Sequence, residues 1–215
     1  MRDTCGFPMM AEIIPESPEP ATDGFFIKHK MATPEEAERR KLFGAIQGDW
    51  TYRDFEAGTY CVLDEKRNGM VDQWMSDTSM ERTTNERALR QARGDVLILG
   101  LGIGMLPIAC CRKPEVTSVI VVEIEPQVIA LVEPHIRHPK LRVLQGDAFY
   151  PPFWGRSFDM IYLDIWQNIC TDNWEPMKAL LRQYRRFARN GAWVSAWLKD
   201  YLQEEARLDR QRSYW

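Results

Sequence analysis

The sequence predicts a doubly wound α/β domain, and three observations predict it. Short runs of strand length recur at Val96–Leu99, Ser118–Val122, Leu141–Leu144, Met160–Leu163 and Ala192–Leu198. Helical stretches separate most of them, the pattern of a parallel sheet with crossover helices. The runs are largely apolar at consecutive positions rather than alternate ones, as strands covered on both faces should be.

The elements follow in order. Residues 1–24 hold Pro8, Pro15, Pro18 and Pro20 among acidic and small residues and read as a flexible arm. Residues 25–92 read as a small N-terminal helix and β-hairpin region. Its first helix has Thr33 as N-cap, Pro34 at N1 and Glu36 at N3, and runs to Gln47 before Gly48. Short β-like pieces at Gly58–Leu63 and Gly69–Met75 flank a turn at Asn68-Gly69, which reads as a hairpin. A helix over Ser79–Ala92 leads into the α/β domain, residues 93–215. Within it, helices are predicted over Gln127–His135, Trp174–Ala188 and Asp200–Arg212, the second with Met177, Leu180, Leu181, Tyr184 and Phe187 on one stripe.

Composition sets the outer bounds. A chain of 215 residues suits one main domain with an appendage. With 45% hydrophobic and 27% charged residues, wholesale disorder is excluded. The 28 Lys+Arg against 31 Asp+Glu leave a net charge of -3, which argues against a dedicated nucleic-acid binder. The basic excess of residues 178–215 reads as solvated helix faces. No apolar run reaches the ~18 residues of a membrane span, and Glu12 and Pro15 break the apolar stretch after Met9, so no signal peptide is expected. Cys5, Cys61, Cys110, Cys111 and Cys170 are odd in number and form no C-x-x-C, so neither a disulfide framework nor a zinc site is expected. A reducing cytoplasm fits that usage.

Ligands of a doubly wound sheet sit at the carboxyl ends of the strands, so the loop after the first strand is examined first. It reads Gly100-Leu-Gly102-Ile-Gly104. The dinucleotide fingerprint is G-x-G-x-x-G; here the third glycine comes one position early, and Met105 stands where it is expected. No phosphate-loop Lys-Ser/Thr follows, so the ligand need not carry phosphates. Glu123 closes the second strand 23 residues after Gly100, close to the roughly 20 expected of a ribose-binding carboxylate. Asp147, closing the third strand, suits a donor such as an adenine amino group; its structural alternative is a helix N-cap. Loop, Glu123 and Asp147 form one rim that fits an adenosine ligand.

These residues resemble those of the class I S-adenosylmethionine-dependent methyltransferases, with their Rossmann-like fold, and within them the spermidine-synthase-like branch. Val96–Gly104 ("VLILGLGIG") is similar to the glycine motif and Val121–Ile129 ("VVEIEPQVI") to the acidic-turn motif of that branch. Gly146–Ala148 ("GDA") resembles the adenine-contacting motif and Phe158–Trp166 ("FDMIYLDIW") the fourth-strand motif. The resemblance covers about Val71 to Leu198. The five strand runs, without the final hairpin typical of the class, predict a sheet in the order 3-2-1-4-5. The resemblance implies that Gly100, Gly102 and Gly104 flank the methionine part of the cofactor. It implies further that Glu123 holds the ribose, Asp147 with Ala148 the adenine, and that Asp164 faces the donor carbon and the acceptor.

Departures from the branch narrow the reading. Aminopropyltransferases carry an Asp in the glycine loop where this chain has Ile103, and a second acidic residue shortly after the fourth-strand Asp, where it has Ile165, Trp166 and Gln167. The D-P-P-Y-like motif of nucleic-acid N-methyltransferases is absent at Asp164. About 17 residues follow the fifth strand, too few for the helix and final hairpin of the class. That leaves a face for the N-terminal arm or for a second copy of the chain, a homodimer.

Methyl transfer from a sulfonium is a direct displacement, so the protein mainly positions and desolvates the acceptor. Asp164 is the candidate to orient or deprotonate it. Asp77, just before the core, is the second catalytic candidate, with an N-cap as its structural alternative. Trp166 and Trp174 flank the expected acceptor side and suit an aromatic ring or cationic amine. Six of the eight tryptophans fall from Trp154 onward, and Trp193 and Trp197 read as packing or interface residues. Asp172-Asn173 faintly resembles metal-dependent catechol O-methyltransferases, but Asp172 with Glu175 reads better as a capping box, and no metal is expected. His29, His135 and His138 are scattered and support no triad. The leading function is methyl transfer from S-adenosylmethionine to a small-molecule acceptor, releasing S-adenosylhomocysteine. Another transfer from the same donor, such as aminopropyl transfer releasing methylthioadenosine, is the alternative; a non-catalytic adenosine-ligand binder is the third.

Overall fold

The computed structural model describes residues 6–151 and 155–212. Cys5, Trp154 and the first five residues of the predicted arm lie outside them.

The chain begins with β1 (Gly24–Ala32), α1 (Pro34–Gln47), β2 (Gly58–Arg67), β3 (Met70–Ser76) and α2 (Ser79–Gln91). Then come β4 (Gly94–Leu99), α3 (Met105–Arg112), β5 (Val116–Glu123), α4 (Pro126–Val132), β6 (Leu141–Gln145) and β7 (Phe158–Leu163). It closes with α5 (Trp174–Tyr184), β8 (Ala188–Ala196) and α6 (Lys199–Arg212). The larger sheet is parallel in the order β6-β5-β4-β7-β8, the 3-2-1-4-5 arrangement the sequence implied.

Both faces of that sheet are buried, and the period of two assigns them. Val96, Ile98, Val119, Val121, Met160 and Tyr162 enter one core with α3 and α4. Leu97, Leu99, Ile120, Val122, Ile161 and Leu163 enter the other with α5 and α6. Consecutive apolar residues are what a sheet between two cores demands. The first core also takes in Ile27, Cys61, Leu63, Ala88 and Leu89, so the N-terminal region and the α/β half share one core across residue 92.

Local chemistry explains the N-terminal elements. Thr33 Oγ1 accepts from Glu36 N (3.2 Å) and Gly48 ends α1 with φ +70°. The Glu36 carboxylate pairs with Arg40 rather than turning back to the cap. In the β2–β3 hairpin Arg67 faces Met70, and Asn68 (φ +52°) and Gly69 (φ +77°) make the two-residue turn. Strand β1, antiparallel to β2, was not legible: Phe26 and Ile27 are buried side by side, which breaks the alternation that marks a strand.

The arm departs most from expectation. Where the sequence suggested flexibility, Phe7, Met10 and Ile14 are buried in the first core, and Met10–Glu12 form a 3-10 turn. Ser17 exchanges hydrogen bonds with both main-chain groups of Ile27, and Glu16 Oε1 accepts from His29 N (2.8 Å). The arm thus covers the free edge of β1, a way of closing an exposed strand edge.

Boundaries shift elsewhere. Helix α5 stops at Tyr184, and the last strand begins at Ala188, four residues before the predicted start, because a bulge separates Phe158↔Ala188 from Met160↔Trp193. The predicted capping box of α5 does not form: the cap position is Asn173, without a side-chain bond, and Glu175 pairs with Lys178.

Candidate functional site

A cavity of about 330 Å³ opens at the carboxyl ends of β4, β5, β6 and β7, within the usual size of a small-molecule site. Gly100 leaves β4 with φ +99°, its N–H donating to Val122 O (2.8 Å). A Cβ there would lie 2.0 Å from Asp164 O, so only glycine lets the β4 and β7 ends come this close. Gly102 (φ +50°) lies under Met75, whose Sδ would be 2.1 Å from an added Cβ. Both line the cavity. Gly104 does not: it caps α3 and packs on Ile136 and Val132, so its place beside the methionine part is corrected to a place in the core. Ile103 is buried in that core as well.

Glu123, at 9% exposure, ties the rim together. Its Oε2 accepts from Leu101 N (2.8 Å) and its Oε1 from Glu125 N (2.9 Å). Each oxygen keeps a second acceptor position, so the carboxylate can still take a pair of hydroxyls from the cavity it lines. Asp147 Oδ1 accepts from Phe149 N (2.8 Å) in a turn, not at the head of a helix, and Oδ2 accepts from no described residue. Ala148 is buried beside it, its carbonyl held by Tyr184 Oη (2.7 Å).

Asp164 reaches the cavity from the end of β7, its N–H donating to Leu99 O (2.7 Å). Burial pushes its carboxyl up to about 7. Glu81, in the first turn of α2, lines the same cavity and was missed by sequence reasoning. Burial first, then the charge of Asp164, push it up to about 8, with the Ser76 main chain opposing. The Tyr162 hydroxyl is pushed well up by burial and by the same two carboxylates. An acidic residue in a helix's first turn satisfies the helix dipole anyway, so no signal in the sequence marked Glu81.

Asp77 stands apart. It is fully buried, does not line the cavity, and accepts from Met10 N (2.7 Å) and Cys61 N (2.8 Å). The expectation that it works in the site is corrected: both oxygens hold backbone, pinning the arm to β2. Trp166 lines the cavity, and so does Gln167 beside it. Trp174 does not: it is buried in the second core under Lys178. Trp74 and Trp197 also line the cavity. Trp197, expected only to pack, also donates from Nε1 to Thr84 Oγ1 (3.0 Å). Trp193 stacks on Tyr162. Among the described residues no group of three or more His, Cys, Asp or Glu could hold a metal ion, and no helix is long and apolar enough to cross a membrane.

The fold and site together define the chain as a doubly wound α/β protein with an acidic cavity at its switch point. No family model matches the chain, and no curated protein matches its sequence. Solved structures share part of it. The CcbJ methyltransferase from Streptomyces caelestis is 21% identical over 50% of this chain and 44% of its own, with a TM-score of 0.40. The N-methyltransferase NodS from Bradyrhizobium japonicum is 14% identical over 51% and 62%, with a TM-score of 0.41. An S-adenosylmethionine-dependent methyltransferase from Clostridium acetobutylicum is 18% identical over 51% and 44%, with a TM-score of 0.38. The chain spans less than two thirds of each.

Proposed function

We propose that the cavity binds S-adenosylmethionine and that the chain transfers its methyl group to a small-molecule acceptor. One observation carries the reading. The glycine loop, Glu123 and Asp147 lie on the ends of three adjacent strands and line one cavity, in the arrangement an adenosine ligand requires.

The residues present fit that donor. Glu123 has acceptor positions left for both ribose hydroxyls, and Asp147 Oδ2 is open to an adenine amino group. Gly100 and Gly102, bare of side chains, let the chain turn closely past the space for the methionine part. The sulfonium supplies an activated methyl group, so the chain's own work is orientation and the exclusion of water. Asp164, at the end of β7, orients the acceptor or takes its proton; a carboxyl raised to about 7 is suited to exchanging protons near neutrality.

Aminopropyl transfer, the spermidine-synthase-like reading, remains the second. Glu81 beside Asp164 favours it by supplying a second carboxylate; Ile103, buried in the core, and Gln167 speak against it. Calorimetric titration with S-adenosylhomocysteine and methylthioadenosine side by side tests both. Methyl transfer predicts clearly tighter S-adenosylhomocysteine binding. A preference for methylthioadenosine would favour aminopropyl transfer, and binding of neither would remove the adenosine site.

A further inference from the structure

The charge of the cavity is unbalanced. Glu81, Glu123, Asp147 and Asp164 line it, and no described lining residue is Lys, Arg or His. Glu123 and Asp147 belong to the adenosine rim, where backbone N–H groups hold them. Glu81 and Asp164 are left over. No described residue donates a hydrogen bond to the Asp164 carboxyl, and only the Ser76 main chain favours the charged form of Glu81. They come from separate elements, the first turn of α2 and the end of β7, so nothing local in the sequence explains their meeting.

Two neighbouring carboxyls in a largely apolar cavity repel one another and resist ionising together. Left to themselves they keep their protons near neutrality, whereas a cation placed between them lets both ionise. Three indole side chains, those of Trp74, Trp166 and Trp197, line the same space, and indole attracts ammonium groups. An anionic acceptor would meet two acidic side chains and no described cation.

Building on the S-adenosylmethionine reading above, we propose that the acceptor is a cationic amine with an apolar body. Its ammonium lies between Glu81 and Asp164, and its body packs against Trp74, Trp166 and Trp197. Asp164 takes one ammonium proton, and the freed nitrogen lone pair bonds to the donor's methyl carbon as the carbon–sulfur bond breaks and S-adenosylhomocysteine leaves. Glu81 then joins Asp164 as a determinant of acceptor specificity.

The test uses the full chain saturated with S-adenosylhomocysteine. Phenethylamine and tryptamine are titrated calorimetrically against their anionic isosteres, 3-phenylpropionate and indole-3-propionate. The amines should bind and the anions should not. Glu81→Gln should weaken amine binding about tenfold or more, the scale of losing a charged hydrogen bond, and leave S-adenosylhomocysteine affinity unchanged. Thermal melting checks each variant's fold; if Glu81→Gln does not fold, Asp164→Asn and the amine–anion comparison on the unaltered chain decide. Equal binding of amine and anion, no amine binding, or amine binding indifferent to both substitutions would overturn the proposal. So would a loss of S-adenosylhomocysteine binding in Glu81→Gln, which would give the pair to the donor's own amino group. If the unaltered chain does not bind S-adenosylhomocysteine, the donor reading fails instead, and the same amines titrated into the free protein still decide this one.

Discussion

Replacing Glu123 by Gln removes one charge and leaves the size of the side chain unchanged, which makes the consequence calculable. In the free protein both oxygens accept a backbone N–H, from Leu101 and from Glu125. An amide has one acceptor oxygen, so one of those donors would face an NH2 group. A buried donor without a partner costs about 1–3 kcal/mol, and thermal melting of the free variant should show that loss. Binding adds a separate effect. If the carboxylate accepts the ribose hydroxyls, the variant loses charge-assisted bonds of about 1.5–3 kcal/mol, which is roughly 10- to 150-fold in affinity. Calorimetry with S-adenosylhomocysteine on folded protein reads the second effect without the first. Glu125→Gln is the control, since Glu125 contributes only its backbone N–H and does not line the cavity. Unchanged affinity in Glu123→Gln, or an equal loss in Glu125→Gln, would refute the role given to Glu123.

Three other outcomes follow from the geometry. Gly48→Ala and Gly100→Ala both place a side chain at positive φ, but Gly48 has open space and Gly100 has Asp164 O at 2.0 Å. The first should cost about 1–2 kcal/mol in urea unfolding and the second more than twice as much; equal costs would contradict the close approach. Asp77→Asn should destabilise the chain by about 1–3 kcal/mol and loosen the arm, seen as faster hydrogen exchange at Met10; lost ligand affinity beyond the lost stability would return Asp77 to the site. Glu81 and Asp164 hold protons more tightly in the folded chain (about 8 and about 7) than their ordinary values of 4.5 and 3.8 allow. Their contribution to stability is therefore full below about pH 4 and is lost as pH rises through about 7–8. Glu81→Gln should melt higher than the unaltered chain at about pH 8.5, with the advantage vanishing near about pH 4; no pH dependence in that difference would contradict the burial of Glu81.

The α/β half was legible because its chemistry is local. Val96–Leu99 and Met160–Leu163 are apolar run by run, and Glu123 ends β5 while Asp147 comes just after the neighbouring β6. Thr33, Pro34 and Gly48 announced α1 through the geometry of helix ends. What escaped was tertiary. The prolines of the arm gave no hint that Phe7, Met10 and Ile14 would fill a core, because that depends on the free edge of β1. Gly104 matched a motif yet turned its open side to Ile136. Trp174 lies away from the cavity because α5 carries it into the second core, whereas Trp197, packed in the first core just after β8, also reaches the cavity. Glu81 reaches the cavity only because α2 brings it near Asp164, which no sequence pattern shows.

The central claim is that the strand-end cavity holds an adenosine ligand by Glu123 and Asp147. A crystal structure of the chain with S-adenosylhomocysteine tests it most directly. The account predicts the ribose hydroxyls on the Glu123 carboxylate, the adenine beside Asp147 and Ala148, and the sulfur facing Asp164. A ligand bound outside this cavity, or inside it with neither carboxylate in contact, would contradict the account.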